Sequence, residues 1–180
     1  MDKWIESVWT EHLAPLSVRG QLRVLICGVG SGKTLPWILE QLACKDDDQV
    51  CGIDEWKNER KHARAAEQAA RYLGRVFFRR ADPVFAIDQG YENVPEQIDV
   101  AIVSGDYAKP SLDLFELLLR LWRKLRYGGI LIVDNYRVAG DSGRMKSLHP
   151  FVDPFVDAAR TEGQSVERVW HGPQAGFRKI

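Results

Sequence analysis

The hydrophobic pattern changes period repeatedly along the chain. Short apolar runs, "VLIC" at 24–27, "VAIV" at 100–103 and "ILIV" at 130–133, alternate with segments whose apolar residues recur at helical spacing. In "KWIESVWTEHL", Trp4, Ile5, Val8, Trp9 and Leu13 share one helical face. "QLRVLIC" reads as a first strand, and "TLPWILEQLA" as a helix with Thr34 as N-cap and Pro36 in its first turn. "QVCGID" reads as the second strand, "KNERKHARAAEQAARYLG" as a long helix ending at Gly74, and "RVFFRR" as the third strand. Residues 81–97 hold a short helix and a loop. "IDVAIVSGD" is a fourth strand, "SLDLFELLLRLWRKLRYGG" an amphipathic helix stopped by Gly128 and Gly129, and "ILIVDNY" a fifth strand. "HPFVDPFVDAARTEG" predicts a last helix, and "SVERVWHGPQAGFRKI" a terminal hairpin turning at "GPQAG".

Strands that alternate with helices predict right-handed crossovers and a doubly wound, mostly parallel α/β sheet with helices on both faces. The apolar runs suit strands buried on both sides. In such sheets a ligand lies beyond the carboxyl ends of the strands, near the topological switch point. The stretches that follow the strands, "GVGSG", "DEW", "ADP", "SGDY" and "DNY", are therefore the candidates for chemistry.

Composition narrows the picture. The chain has 180 residues, which fits one domain over 1–180. Lys plus Arg is 25 and Asp plus Glu is 25, so the molecule lacks the charge footprint of a nucleic-acid binder. Cys27, Cys44 and Cys51 have no metal-type spacing and read as reduced residues of a cytoplasmic protein, buried near the first strands. "MDKWIESVWTEH" lacks the apolar run of a signal peptide, and no stretch reaches transmembrane length. The sequence is compatible with a homodimer.

The glycine-rich turn "GVGSGKT" is the strongest local signal. A phosphate loop needs G-x-x-x-x-G-K-[ST], and its first glycine would be residue 27, which is Cys27. The dinucleotide pattern G-x-G-x-x-G fails at Lys33. What remains is Gly28, Gly30 and Gly32, a G-x-G-x-G turn that lets the backbone bend and approach a ligand. It is also what a tight turn needs. Asp54 follows the second strand, 22 residues after Gly32, where a carboxylate can accept ribose hydroxyls or cap the next helix. Trp56 can lie against an adenine or pack under a loop. Asp82 can accept from an adenine amino group or open the turn before Pro83.

"VLICGVGSG", "VCGIDEW", "IDVAIVSGDY" and "GGILIVDNY" together resemble a class I S-adenosylmethionine-dependent methyltransferase, over about residues 22–136. The nearest type is the small-molecule, catechol-like O-methyltransferase. The resemblance implies a Rossmann-like, seven-stranded sheet whose last strand is antiparallel. It implies that Gly28, Gly30 and the neighbouring backbone, with Val29, Ser31 and Gly32, face the methionine part of the cofactor. Asp54 would hold the ribose, and Asp82 or its neighbours the adenine, with Glu55, Trp56 and Ser104 also counted among the cofactor-binding residues. Asp106, Asp134 and Asn135 match acids and an amide that hold a divalent metal in the metal-dependent branch, and magnesium suits such oxygen ligands. Two positions depart from the pattern: Ile26 replaces an acid before the first glycine, and Ser104 replaces the first acid of the fourth-strand turn.

The resemblance implies methyl transfer to a hydroxyl of a small molecule. Asp106 and Asn135 are the candidate catalytic residues: Asp106 acts as base, or a metal held by Asp106, Asp134 and Asn135 lowers the hydroxyl pKa. Tyr107 and Lys109 either line the pocket or sit on the surface. His149 and His171 read as structural, and so does His12 unless residues 1–20 fold over the site as a lid. Residues 137–164 are the other variable part that shapes the acceptor pocket. The stretch 60–80 is locally basic, with Arg60, Lys61, Arg64, Arg71, Arg75, Arg79 and Arg80, and reads as a solvated face rather than an RNA surface. A non-catalytic scaffold on a decayed methyltransferase fold and a P-loop-like NTPase remain as alternatives.

Overall fold

The computed structural model describes residues 2–107, 112–136 and 148–180, without the side chains of Asp106 and Leu112. The described elements run α1 (Lys3–His12), β1 (Arg23–Cys27), α2 (Leu35–Trp37), β2 (Gln49–Asp54), α3 (Glu59–Ala69), β3 (Val76–Arg80), α4 (Pro83–Asp88), β4 (Ile98–Val103), α5 (Leu112–Lys124), β5 (Leu125–Val133), α6 (His149–Thr161), β6 (Val166–His171) and β7 (Ala175–Lys179). The strands form one seven-stranded sheet in the order β3-β2-β1-β4-β5-β7-β6. The first five are parallel, and β7 runs antiparallel between β5 and β6. The chain moves outward from β1 to β3 and then returns to β4 on the other side of β1. That reversal opens a crevice at the carboxyl ends of β1 and β4.

The period-2 side-chain alternation divides the apolar strands between two cores. Val24, Ile26, Val100, Ile102, Ile130 and Ile132 face one, which also holds Trp9, Leu35, Leu39 and Ala65 from the side of α1, α2 and α3. Leu25, Cys27, Ala101, Val103, Leu131 and Val133 face the other, with residues of α4, α5 and α6. In α5, Leu114, Leu117, Leu118, Leu121 and Trp122 form the buried stripe that its spacing predicts. Each such buried side chain contributes about 1.5–3 kcal/mol relative to exposure. Both sides of the sheet are therefore held firmly, and the loops at its carboxyl edge have a rigid base.

Three expectations from the sequence are corrected. α5 ends at Lys124, and Gly128 and Gly129 lie inside β5 rather than at a helix stop. Pairing decides this: Leu125 aligns with Ile98 and Ile130 with Val100, so the intervening residues form a bulge. A Cβ on Gly129 would come within 2.9 Å of the Asp99 and Arg126 carbonyl oxygens, so the bulge needs a glycine there. Thr34 is αR and makes no side-chain cap, and the helix continues from Trp37 as a π-helical turn over Ile38–Leu42. Cys44 is exposed, while Cys27 and Cys51 are buried.

Candidate functional site

The three glycines of the first turn have positive φ, and each does a different job. A Cβ on Gly28 would stand 2.0 Å from the Ser104 carbonyl oxygen, so this glycine lets the turn after β4 close against β1. Ser104 completes that contact: its N–H donates to the Cys27 carbonyl, and its hydroxyl donates to the Gly28 carbonyl at 2.6 Å. Gly32 admits α3, since its Cβ would lie 3.0 Å from the Ala65 Cα. Of these three, Gly30 alone has nothing within 4 Å of a Cβ position. Open space beside a left-handed backbone is where a ligand can approach the chain closely. Val29 points into the core instead, and Ser31 lines an outer depression with Lys33, Arg64, Glu67 and Gln68.

The end of β2 braces this turn. Asp54 Oδ2 accepts from the Gly30 N–H at 2.9 Å, and Oδ1 accepts from the Trp56 N–H at 2.8 Å. Asp54 is not the cap of α3, because the Asn58 side chain does that by accepting from the Arg60 N–H. Each carboxylate oxygen keeps a lone pair for a ligand hydroxyl. Trp56 takes the second of its two places. It is 2% exposed, packs against Phe78 and His62 with φ of 40°, and donates from Nε1 to the Gly30 carbonyl. It supports the turn from below and presents no face to an adenine. Glu55 is half-exposed, and its carbonyl accepts from Arg80.

A cavity of about 190 Å³ follows, lined by Glu55, Asp82, Tyr107 and Asp113 with Pro83, Val84, Leu114 and Leu117. Asp82 opens the turn into α4: its Oδ1 caps the helix by accepting from the Phe85 N–H at 3.0 Å, and the residue also borders the cavity. Tyr107 does line the site: its hydroxyl accepts from the Glu55 N–H at 2.9 Å. Burial raises its pKa, so the phenol stays protonated.

Beyond β5, Asp134 is partly buried, and burial raises its carboxyl pKa. Its Oδ1 accepts from the Asn135 N–H and from the Gln174 amide. Gln174 is itself 4% exposed, and its Oε1 accepts from the Trp9 indole at 3.0 Å. An indole only donates, so it orients the amide with its NH2 toward Asp134. Nothing in the periodic pattern marks Gln174 or Trp9 as site residues; Gln174 is an ordinary polar residue in a predicted hairpin turn. α1 is thereby anchored across the β6–β7 turn, with His12 stacked on Trp170. Asn135 has φ of 56°.

Magnesium finds little support here. Among the described residues, no three His, Cys, Asp or Glu side chains gather as they would around a metal ion. Asp134 Oδ1 is already engaged by the Asn135 N–H and the Gln174 amide. The Asp106 side chain, Lys109 and residues 137–147 lie outside the described residues. The basic stretch is partly spent on the fold. Arg75 donates to the Ala43 and Lys45 carbonyls, Arg79 stacks on Tyr91, and Arg80 pairs with Glu59.

A family model described as "Methyltransferase domain" matches residues 25–136. The chain belongs to this methyltransferase family. The match spans the glycine turn, Asp54, Asp82 and Asp134, and it removes the NTPase alternative. No curated protein matches the chain significantly. Solved methyltransferases share the fold. The O-methyltransferase TomG from Streptomyces achromogenes, solved with SAM, is 14% identical, with 100% of this chain and 81% of that one covered and a TM-score of 0.71. A putative rRNA methylase from Clostridium thermocellum is 17% identical, with 100% and 98% covered and a TM-score of 0.71. A SAM-dependent methyltransferase from Thiobacillus denitrificans, solved with S-adenosylhomocysteine, is 23% identical, with 90% and 64% covered and a TM-score of 0.56. At such identities the likeness speaks for the fold alone. Among the described residues of this methyltransferase, no helix is long and apolar enough to cross a membrane.

Proposed function

We propose that the enzyme transfers a methyl group from S-adenosylmethionine to a hydroxyl of a small molecule. The observation that carries this reading is the open side of Gly30 next to the Asp54 carboxylate, at the switch point of the sheet. The backbone from Gly28 to Gly30 would hold the methionine part, Asp54 the ribose hydroxyls, and the edge formed by Glu55 and Asp82 the adenine. Bound there, the cofactor supplies an electrophilic methyl group on a sulfonium.

The chain's own residues supply position and a proton acceptor. Alignment of the acceptor oxygen behind the methyl carbon accounts for much of the acceleration in such transfers. As the new C–O bond forms and the C–S bond breaks, the hydroxyl proton must leave. We assign it to Asp134 at the carboxyl end of β5, a reading supported by the burial that makes its carboxylate more basic than an ordinary one and by its hydrogen bond from Gln174. No step requires a metal. A small acceptor is favoured over RNA by the balance of 25 basic and 25 acidic residues and by the structural engagement of Arg75, Arg79 and Arg80.

The test is a screen of small phenols and alcohols, with S-adenosylhomocysteine release as the readout, with and without magnesium. Turnover that needs no magnesium and falls at least tenfold in Asp134→Asn supports the reading. Turnover confined to RNA, with steep salt dependence, would overturn the acceptor assignment.

A further inference from the structure

Tyr107 lies where a ligand of this crevice has to lie. It leaves β4 through the 3₁₀ turn Gly105–Tyr107 and ends at the Glu55 amide, just past β2. β1 stands between those two strands. The phenol ring therefore spans the carboxyl end of β1. The ring also touches the glycine turn, since a Cβ on Gly28 would be 3.2 Å from Tyr107 Cδ2. The cavity left beside it, about 190 Å³, falls below the roughly 300–1,000 Å³ of ordinary small-molecule sites. The Glu55 N–H is a polar group that a bound nucleoside would otherwise reach, and Tyr107 satisfies it.

We propose that Tyr107 is an internal plug: in the empty enzyme its phenol occupies the nucleoside part of the cofactor crevice, and the cofactor binds only as the ring swings out. This rests on the S-adenosylmethionine reading above. The plug is held by one neutral hydrogen bond and by ring packing against Gly28. Such a contact is weak enough to be displaced yet strong enough to lower apparent affinity by the fraction of molecules that are closed. The phenol stays protonated throughout the physiological range, so ligand binding rather than pH moves it.

Calorimetric titration with S-adenosylhomocysteine tests the plug in the wild type, Tyr107→Phe and Tyr107→Ala. Tyr107→Phe removes only the hydrogen bond and should bind about fivefold more tightly than the wild type. Tyr107→Ala empties the crevice and should bind about tenfold more tightly or better. Hydrogen exchange gives a second readout: the Glu55 amide should be protected in the empty wild type and exchange faster in empty Tyr107→Phe. Unchanged or weaker binding in either variant, or an unchanged Glu55 exchange rate, overturns the plug while leaving the donor reading intact. Failure of the wild type and both variants to bind removes the donor reading and the plug together.

Discussion

The Asp54 carboxylate grips the amide of Gly30, 24 residues earlier in the chain, at 2.9 Å. One side chain thus ties the end of β2 to the glycine turn after β1. The carboxylate is positioned by the backbone of the glycine turn itself. Asp54→Ala should weaken S-adenosylhomocysteine binding by about 1.5–3 kcal/mol, since charged hydrogen bonds to the ribose and the brace on Gly30 are lost together. Titration of the purified variant checks this; unaltered affinity would reduce Asp54 to a brace.

The glycine turn separates folding from binding. Gly28→Ala drives a methyl group into the Ser104 carbonyl at 2.0 Å on a backbone of φ +95°. It should cost about 2–4 kcal/mol of stability from overpacking and left-handed strain. Gly30→Ala meets open space at φ +58°, and should cost only about 1–2 kcal/mol while blocking the ligand's approach. Denaturant unfolding and titration of both variants would show the two losses in opposite proportion. Unchanged affinity in Gly30→Ala would mean that the crevice at Gly30 is not where the ligand comes close.

The Trp9–Gln174–Asp134 chain joins α1 to the carboxyl end of β5. Trp9→Phe keeps an aromatic ring but removes the donor to a buried amide oxygen. A loss of about 1–3 kcal/mol in unfolding free energy is expected. Acceptor turnover should fall as well, because Gln174 is no longer held in place beside the Asp134 carboxylate. A variant with unchanged stability and turnover would make this contact incidental.

The cysteines make a simple chemical prediction. Burial pushes the Cys51 thiol up to about 12 and raises that of Cys27 as well. Cys44 is exposed. Only thiolates react readily, so brief alkylation of the native protein at pH 8 should label Cys44 alone. Mass spectrometry reads the result directly. Labelling of Cys51 in the folded protein would show that β2 opens to solvent.

Much of the architecture was legible because apolar runs buried on both sides, such as 24–27 and 130–133, admit few other arrangements. The positions of Asp54 at the end of β2 and Asp82 just past β3 were legible for the same reason, because the strands themselves could be placed. Other features depend on contacts between distant residues. The bulge at Gly128–Gly129 is decided by pairing with Ile98 and Val100, which overrides the helical pattern running into it. Trp56 turns inward because Phe78, His62 and the Gly30 carbonyl await it there. Gln174 becomes part of the site only when the hairpin folds back over β5 beneath Trp9. No local pattern in the sequence encodes these three outcomes.

The most direct measurement is calorimetric titration of the purified chain with S-adenosylmethionine and S-adenosylhomocysteine, with ATP-magnesium as the control. Saturable binding of the first two and none of the nucleotide is the predicted result. Binding of ATP alone, or of none of the three, would contradict the assignment of the crevice at Gly30 and Asp54 to a methyl donor.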